Sequence, residues 1–502
     1  SPYASLQDQD VKDLLRVGKF EPLPEGTPIR SACRVFTVPE LEKKRRRCIL
    51  EPLTNATLRK DRLPPMRYPS RREKRLSIAG KKFFMQFDFA AYYDQFKIAE
   101  ELRPYFVVRT KQPVEWKGKK HTLFTLTTLA TGGSDSAHVA QTSTWAILEP
   151  LHSLNVALAT MIDNVAIASN DPADFCKAVK TFLERCDRFG VTVNDRDKYP
   201  TEDTDILKMG QQEAQGPTKF LGEVYTNGKV MNSEASVRKL EKAYAHLQDA
   251  LQDASITVTR RNLASIIGLQ IWMAETIDVP MCDMFKLLRL YSQLERKAAH
   301  WDDKIELTSA QVNTIGEQAR VLIENTPVYP QDFPLPSYDI NQYDATIIVD
   351  ASATGYGAYV RMGSDQFLVK RGFRNNIQHS AWAEPIAAKE VIQFIRTKNP
   401  KARIALVTDH IAIATGQRRP GSGKGGFSKS YHLNAVFSEL YSIPEGGAVF
   451  YVEGQVNPAD APSRNNWKGD PMSCRPDNTY FPGLTDFWQP YAEQPARPFW
   501  NT

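Results

Sequence analysis

The sequence predicts a multidomain α+β protein, and three observations support this fold class. The chain has 502 residues, a length that corresponds to about three or four domains. Apolar runs of strand length alternate with helical periodicity up to residue 230, and helical periodicity dominates residues 231–325. A proline-rich linker, residues 326–340, leads into a second region where strands and helices alternate. With 42% hydrophobic and 24% charged residues, each domain can bury its own core.

The first domain, residues 1–230, is predicted to place carboxylates at the ends of apolar strands. The run FFMQFD ends on Asp88, and the run ATMIDNVAIAS has Asp163 and Asn164 at the tip between two apolar halves. Phosphoryl transfer uses two divalent cations about 3.5–4 Å apart, and hard Mg²⁺ takes carboxylate oxygens as ligands. Two rigid strand ends can supply that arrangement. The alternative is structural, since an aspartate at a strand end is also a turn former.

The region over residues 341–470 carries a second set of carboxylates, each on a different predicted element. In chain order they are Asp350 in IIVDAS, Glu384 in SAWAEPIAAKE, Asp409 in LVTDH and Asp460 in NPADAPSR. Four converging carboxylates would bind two Mg²⁺ and activate water for phosphodiester hydrolysis. Each of them alone has a plainer explanation as a helix cap or a surface charge. The tail, residues 471–502, is rich in Pro, Trp and Tyr and is predicted to pack as an extended arm.

Basic residues are concentrated near the start of the chain. Residues 31–82 contain 16 Lys and Arg against 5 Asp and Glu, a local excess of +11 in a chain of net charge +6. Three clusters, EKKRRR, LRKDR and SRREKR, indicate a polyanion partner. Residues 43–47 and 71–75 are expected to make that binding salt-sensitive. A solvated or nuclear-import run is the alternative explanation.

Neither a membrane span nor a disulfide framework is predicted. The longest weakly charged region, residues 121–162, is interrupted by acidic and hydroxyl side chains, so it is unsuited to the bilayer core. The six cysteines form no C-x-x-C pair, which favours a reducing compartment. We therefore expect an intracellular protein, in the cytoplasm or the nucleus.

From about residue 33 to residue 470, these motifs resemble the reverse transcriptase–RNase H unit of a retroelement. FDFAAYYDQF is similar to the first metal motif of the polymerase palm, with Asp88 as ligand and Tyr93 as the steric gate against a ribose 2′-OH. LATGGSDSAHVAQ, residues 129–141, resembles the nucleotide-pocket motif L-P-x-G-x-x-x-(S/A)-P-x-x-F-Q. It agrees with that motif at Leu129, Gly132 and Gln141 and departs from it at Ala130, His138 and Ala140.

Further positions carry the same resemblance. The fingers motif RRCILEPLTN implies that Arg46 or Arg47 contacts the incoming triphosphate, because the planar guanidinium suits phosphate. Lys198, in NDRDKYP, matches the lysine after the palm helix, which implies a proton donor to the pyrophosphate leaving group. Implied substrate contacts in the nucleotide pocket and in the primer-grip hairpin FLGEVYTNGKV are Thr131, Gly132, Gln141, Phe220, Leu221 and Gly222.

The last region also resembles a known domain. Its carboxylates follow the RNase H order, and GGFSKSYHLNAVFSEL resembles DIRS-like, tyrosine-recombinase retroelements, VIPER-type elements in particular. The family's usual histidine before the last aspartate is absent, and His432 is a weak substitute. The resemblance implies a right-hand polymerase of fingers and palm, a thumb or connection over residues 231–325, and an RNase H-like α/β domain over residues 341–470.

The resemblance further implies cofactors and partners. Two Mg²⁺ per active site, replaceable by Mn²⁺, would be held by Asp88 and Asp163 in the palm and by the four later carboxylates in the last domain. The implied partners are an RNA template, a DNA primer, the RNA–DNA hybrid and dNTPs, within a retroelement particle. Self-association stays open.

Two other functions stay open on this sequence. The usual Y-x-D-D tip is replaced by Met161-Ile162-Asp163-Asn164, and Ala130 alters the pocket, as in a degenerate polymerase that binds nucleic acid without synthesis. An RNase H-only enzyme is the third class, because the four later carboxylates are intact. If the tip is active, Asn164→Asp should raise the Mg²⁺-dependent rate, since an amide adds no negative charge.

Overall fold

The structure is a computed structural model of the chain. It describes residues 3–63, 66–250, 255–330, 340–373, 375–377, 379–416, 430–443, 447–464 and 472–474. Contacts divide the chain into two compact units: the first is Ser1–Pro69, Ser77–Leu221 and Thr226–Gly228, and the second is Ser70–Leu76, Gly222–Tyr225 and Lys229–Thr502. Within the described residues, every helix is too short or too polar to cross a membrane.

Helices and strands alternate through the first part of the chain. In chain order they are α1 (Asp8–Arg16), β1 (Phe20–Pro22), β2 (Cys33–Glu40), β3 (Arg45–Pro52), α2 (Arg71–Ile78), β4 (Phe83–Asp88), β5 (Val107–Trp116), β6 (Lys119–Leu126), α3 (Ser136–Leu148), β7 (Ala157–Met161), β8 (Asn164–Ser169), α4 (Pro172–Phe189), α5 (Asp203–Gln215) and β9 (Thr218–Phe220). This mixture of helix and sheet agrees with the predicted fold class.

The sheet of β4, β8 and β7 positions the first carboxylates. The three strands are antiparallel in that order, and Asp88 lies opposite Asn164 in the β4–β8 ladder. Helix α4 packs against β8 and has clear end signals. Its N-cap, Asp171, accepts a hydrogen bond from the backbone of Asp174, and Gly190 ends it at a φ of 71°. Strands β2 and β3 form a separate hairpin.

The next part of the chain is mainly helical, as predicted, but it also contains a small sheet. Its elements are β10 (Glu223–Thr226), β11 (Lys229–Asn232), α6 (Glu234–Ala250), β12 (Ser255–Thr259), α7 (Arg260–Thr276), α8 (Phe285–Glu295), β13 (Lys304–Thr308) and α9 (Ser309–Glu324). The antiparallel pair β12–β13 was not predicted. The segments SITVT and KIELT alternate apolar and polar residues, a pattern that favours strands. The predicted Asn227-Gly228 turn is present, and both residues have positive φ.

The last described region is an α/β domain around one six-stranded sheet. Its elements are β14 (Ala345–Ala351), β15 (Gly355–Met362), β16 (Asp365–Gly372), α10 (Ser380–Lys398), β17 (Ile404–Thr408), α11 (Ile411–Gly416), α12 (Tyr431–Tyr441), β18 (Ala448–Tyr451), α13 (Asp460–Ser463) and β19 (Met472–Cys474). The strand order is β18-β17-β14-β15-β16-β19, with β14, β17 and β18 parallel. Side chains of α10 and α12 share the core with β14.

The predicted domain boundaries stay predictions. Residues 331–339 of the proposed linker lie outside the described residues, as do residue 471 and residues 475–502 of the proposed arm. The five cysteines whose side chains are described, Cys33, Cys48, Cys176, Cys186 and Cys282, are free thiols.

Candidate active sites

The two aspartates predicted for the palm lie at one edge of the β4–β8–β7 sheet. Asp88 is the last residue of β4, and Asp163 lies in the turn between β7 and β8. The backbone N–H of Phe89 donates to the carbonyl of Asp163 at 2.9 Å, which ties the two strand ends together. The structure therefore brings together the two carboxylates that the sequence pattern singled out.

Helix α3 holds the turn that carries Asp163. Ile162 has a φ of 56°, an unfavourable conformation for a β-branched residue. Its N–H donates to Oε1 of Gln141 at 2.5 Å, and its carbonyl accepts from Oγ1 of Thr144 at 2.7 Å. These two contacts fix both polar groups of the Ile162 backbone. Gln141 thus supports the turn through its side-chain oxygen. Its side-chain nitrogen, Nε2, donates to the carbonyl of Arg67.

Each palm carboxylate accepts a hydrogen bond from an asparagine. Nδ2 of Asn164 donates to Oδ1 of Asp163 at 3.1 Å, and Nδ2 of Asn194 donates to Oδ2 of Asp88 at 2.8 Å. Burial, followed by the charge of Asp88, raises the pKa of Asp163. A divalent cation would relieve this repulsion, and carboxylate oxygens are the ligands that Mg²⁺ prefers, so the pair fits such an ion.

The predicted nucleotide contacts Tyr93, Arg46 and Arg47 differ in exposure and in their partners. Tyr93 is half-buried, and its pKa is raised by burial, with smaller effects of Tyr68 and Asp163 and an opposing effect of Arg47. Arg46 and Arg47 lie on the exposed hairpin strand β3. Arg46 bonds to Thr37 and pairs with Asp10, whereas Arg47 lies 3.9 Å from Glu40. The charge of Arg47 therefore reaches the Tyr93 side of the site.

Hydrogen bonds hold the predicted pocket segment, residues 129–141, against strand β3. The N–H of Gly132 donates to the carbonyl of Leu50 at 2.8 Å, and a Cβ at position 132 would lie 2.6 Å from that oxygen. Oγ1 of Thr131 accepts from the N–H of Leu50. The side chain of Asn55 donates to the carbonyl of Gly132 and accepts from the N–H of Ser134. Only glycine permits this close approach at position 132.

The remaining predicted contacts of this region are Phe220, Leu221, Gly222 and Lys198. Phe220 is 1% exposed and packs edge-on against Phe84, so its side chain is a core residue and cannot contact a primer directly. Leu221 and Gly222 have φ values of 47° and 83°, and a Cβ on Gly222 would lie 3.2 Å from Trp272. Lys198 is exposed, with its Nζ 5.2 Å from the ring of Tyr199.

The basic cluster at residues 71–75 is a correction to the sequence prediction. Lys74 and Arg75 are 3% and 1% exposed, and both pair with the fully buried Glu223, as Arg71 does. The guanidinium of Arg71 also lies 3.4 Å from the ring centroid of Trp272. These three cations serve an internal network and are not available to a polyanion. The sequence could not show this, because Glu223 is about 150 residues away along the chain.

The α/β domain brings together three of its four predicted carboxylates. Asp350 and Asp409 lie at the carboxyl ends of the adjacent parallel strands β14 and β17, and Glu384 lies on α10. One oxygen of each lies within 4.8 Å of the others. Oδ1 of Asp409 is buried and accepts no hydrogen bond from the described residues. An orphaned buried oxygen in a cluster of three acids fits a divalent cation.

The fourth carboxylate is held by an arginine. Asp460 begins α13, and its oxygens pair with Nη2 and Nε of Arg464 at 3.1 and 3.4 Å. Its charge still acts on Asp350, since it contributes to the raised pKa of that group. His432, the weak substitute for the missing histidine, lies on α12 with its ring centroid 6.2 Å from that of Trp382. Nε2 of a second histidine, His410, lies 4.0 Å from Oε2 of Glu384.

Electrostatics of the cluster predict a pH-dependent stability. Burial, followed by the charge of Asp409, raises the pKa values of Asp350 and Glu384 well above those of free carboxyl groups. The folded domain therefore keeps protons that the unfolded chain loses above a pH of about 4, and its stability falls as the pH rises.

This prediction can be checked by calorimetry of the full chain. In EDTA, the melting temperature of the α/β domain should fall between about pH 5 and pH 8, and Mg²⁺ should raise it more at pH 8 than at pH 5. Asp350→Asn should flatten the pH dependence and reduce the Mg²⁺ increment. A pH dependence identical in the variant and the parent would contradict the assignment.

Several contributing residues could not be found from the sequence. Asn194, Thr144 and Glu223 were not singled out, because they act through partners that are distant along the chain. Asn55, Asn194 and Glu223 stand in motifs quoted above, RRCILEPLTN, NDRDKYP and FLGEVYTNGKV, but the sequence assigned no role to these three residues.

Comparison with known proteins agrees with this arrangement in the first part of the chain. Residues 28–222 match the family described as "Reverse transcriptase (RNA-dependent DNA polymerase)". No curated protein sequence matches the chain. Similar solved structures are foamy viral protease-reverse transcriptases, one bound to dsDNA and one to an RNA/DNA hybrid, at 14% and 16% identity and TM-scores of 0.47 and 0.46.

The structural matches are long but distant. The alignment with the dsDNA complex covers 89% of this chain and 82% of that one, and the alignment with the hybrid complex covers 92% and 55%. A "dRH" form of the foamy viral enzyme bound to dsDNA is 14% identical, with coverages of 88% and 68%. The family match includes both palm aspartates, Gly132 and Gln141, and it ends at Gly222. Residues 28–222 of this chain therefore resemble a reverse transcriptase domain.

Proposed function

We propose that this chain is an RNA- and DNA-directed DNA polymerase of a DIRS-like, VIPER-type retroelement, with a ribonuclease H domain. The observation that carries the polymerase proposal is the pair Asp88 and Asp163, held at one sheet edge inside the region that matches the reverse transcriptase family. The resemblance of GGFSKSYHLNAVFSEL to DIRS-like elements supports the assignment of the retroelement type.

In the proposed reaction, the palm binds a primer terminus and a dNTP on an RNA or DNA template. Mg²⁺ bound by Asp88 and Asp163 would neutralise negative charge on the reacting phosphates. Arg47, together with Arg46, binds the triphosphate from the β2–β3 hairpin. Tyr93 occupies the space that a ribose 2′-OH would need, and Lys198 donates a proton to the pyrophosphate as it leaves.

The α/β domain would cleave the RNA strand of the hybrid. Asp350, Glu384 and Asp409 would hold divalent cations, which would supply activation of water. Asp460 would join them if Arg464 released it to pair with a substrate phosphate. Recognition would depend on the shape of the hybrid and on 2′-OH groups, without base-sequence readout. The buried and orphaned Oδ1 of Asp409 supports a metal role over a purely structural one.

One experiment separates this proposal from its two rivals. Full-length protein is assayed for primer extension on poly(rA)/oligo(dT) and for cleavage of a labelled RNA–DNA hybrid, in Mg²⁺ and in Mn²⁺. The proposal predicts both activities. Cleavage without extension indicates an RNase H-only enzyme, and binding without either activity indicates a degenerate polymerase.

Asn164→Asp is expected to raise the rate of DNA synthesis at saturating Mg²⁺. The substitution replaces an amide that donates to Asp163 by a carboxylate that can ligate a cation. Without metal, the added charge opposes that of Asp163, so the gain should shrink at low Mg²⁺ and at low pH. Initial rates across a Mg²⁺ titration measure this, and a variant no faster than the parent at saturation would show that Asn164 is an adapted residue.

A further inference from the structure

Asn194 contacts Asp88 through both its side chain and its backbone. Nδ2 of Asn194 donates to Oδ2 of Asp88 at 2.8 Å, and the N–H of Asn194 donates to the carbonyl of Asp88 at 2.7 Å. Asp88 itself is exposed at the end of β4. An exposed aspartate loses rotamer freedom only if a neighbour holds it, and Asn194 supplies that hold.

The segment around Asn194 is itself fixed to the strand end. The carbonyl of Thr192 accepts from the N–H of Ala90 at 3.0 Å and from the side chain of Gln95 at 3.1 Å. Oε1 of Gln95 accepts in turn from the N–H of Thr192 at 2.9 Å. Val193 is buried and forms a β-bridge with Phe89. These contacts preorganise the amide of Asn194 before any ligand binds.

The geometry of the contact selects one face of the Asp88 carboxylate. A primary amide donates only through its nitrogen. Nδ2 of Asn194 therefore bonds to Oδ2 of Asp88, and Oδ1 of Asp88 points away from Asn194. Partners of this kind orient metal-ligating carboxylates, and their loss typically lowers metal affinity or activity about 10–100-fold. The same logic applies to Asp163, which accepts from Asn164.

We propose that Asn194 is a positioning residue that orients Asp88 toward a divalent cation and links it to the segment carrying Lys198. Asp195 has a φ of 53°, and the turn that it begins ends at Lys198, so Asn194 anchors the start of that turn. This inference rests on the proposed function, because it gives Asp88 and Lys198 their roles in DNA synthesis.

The test measures metal binding directly. Mn²⁺ is titrated into the full chain and followed by electron paramagnetic resonance, with Asp409→Asn in every sample to weaken the second cluster. Asn194→Leu, which lacks the donor, and Asn194→Ala should each bind Mn²⁺ about 10-fold more weakly at the palm site. Asn155→Leu is the matched control, since Asn155 is exposed and bonds to Asp174 and Ser169 through its backbone. It should leave Mn²⁺ binding unchanged.

A double-mutant cycle distinguishes positioning from a general structural effect. In an Asp88→Ala background, Asn194→Leu should cause no additional loss of Mn²⁺ affinity, because its partner is already absent. In DNA synthesis, Asn194→Leu should lower kcat at limiting Mg²⁺ and recover at high Mg²⁺, with the primer–template KM unchanged.

The possible outcomes keep the inference and its premise apart. Unchanged Mn²⁺ affinity in Asn194→Leu, or an equal loss with and without Asp88, overturns the inference. The absence of any Asp88-dependent Mn²⁺ site in the parent overturns it together with its premise. A coupled loss of affinity in a protein that incorporates no dNTP supports the positioning role and overturns only the proposed polymerase function.

Discussion

Asp88→Asn and Asp163→Asn are each expected to reduce DNA synthesis by roughly 10³-fold or more, while hybrid cleavage persists. Each substitution keeps the size of the side chain and removes one of two negative charges at the sheet edge. The backbone contact between Phe89 and Asp163 is unaffected by either change, so the strand ends should stay together. Primer-extension rates at saturating dNTP, measured beside hybrid cleavage on the same preparations, test this expectation.

The reciprocal variants are the control for this pair. Asp350→Asn and Asp409→Asn should abolish hybrid cleavage and leave primer extension close to that of the parent, because their carboxylates belong to the other site. Equal loss of both activities in all four variants would indicate misfolding or a shared site. It would contradict the assignment of two separate carboxylate centres.

Glu223→Gln is expected to destabilise the protein by about 3–5 kcal/mol. Glu223 is fully buried, and its carboxylate lies within 3.1 Å of the side-chain nitrogens of Arg71, Lys74 and Arg75. Burial alone would raise the pKa of Glu223, but the charges of its three partners outweigh burial and hold that pKa below its usual range. Removal of the negative charge leaves the buried Lys74 and Arg75, and the half-buried Arg71, with fewer partners, which is the costly case.

Urea unfolding followed by circular dichroism measures this effect. The matched control is Glu234→Gln, which removes a glutamate that pairs with Arg238 on the exposed surface of α6, where ion pairs contribute little. A Glu223→Gln variant as stable as the control variant would contradict the structural role of the network. It would also return residues 71–75 to the role of a nucleic-acid surface.

The sequence predicted the parts of the fold that follow from local pattern. Short apolar runs that are followed by polar residues predict strands with Asp88, Asp350 and Asp409 at or beside their carboxyl ends. The structure places these three groups there. The pair β12–β13 was missed because two five-residue strands lie among long helices. An alternation over only five residues is too short to stand out from the helical periodicity on either side.

Residue roles were harder to predict, because side-chain partners are set by tertiary structure. Phe220 belongs to a family motif, yet its side chain is buried against Phe84. The sequence SRREKR is typical of a polyanion site, but in the structure three of its cations pair with Glu223. Asn194 has no distinguishing signal in the sequence, since its importance comes from a partner 106 residues away.

The central claim is that this chain copies RNA into DNA with the Asp88–Asp163 pair, and RNA-templated incorporation tests it most directly. Labelled dTMP incorporation by the full chain on poly(rA)/oligo(dT) is measured in Mg²⁺ and in Mn²⁺, beside Asp88→Asn. The predicted result is processive extension by the parent with at least one metal and none by the variant. No incorporation by the parent under either metal, or equal incorporation by parent and variant, would contradict the claim.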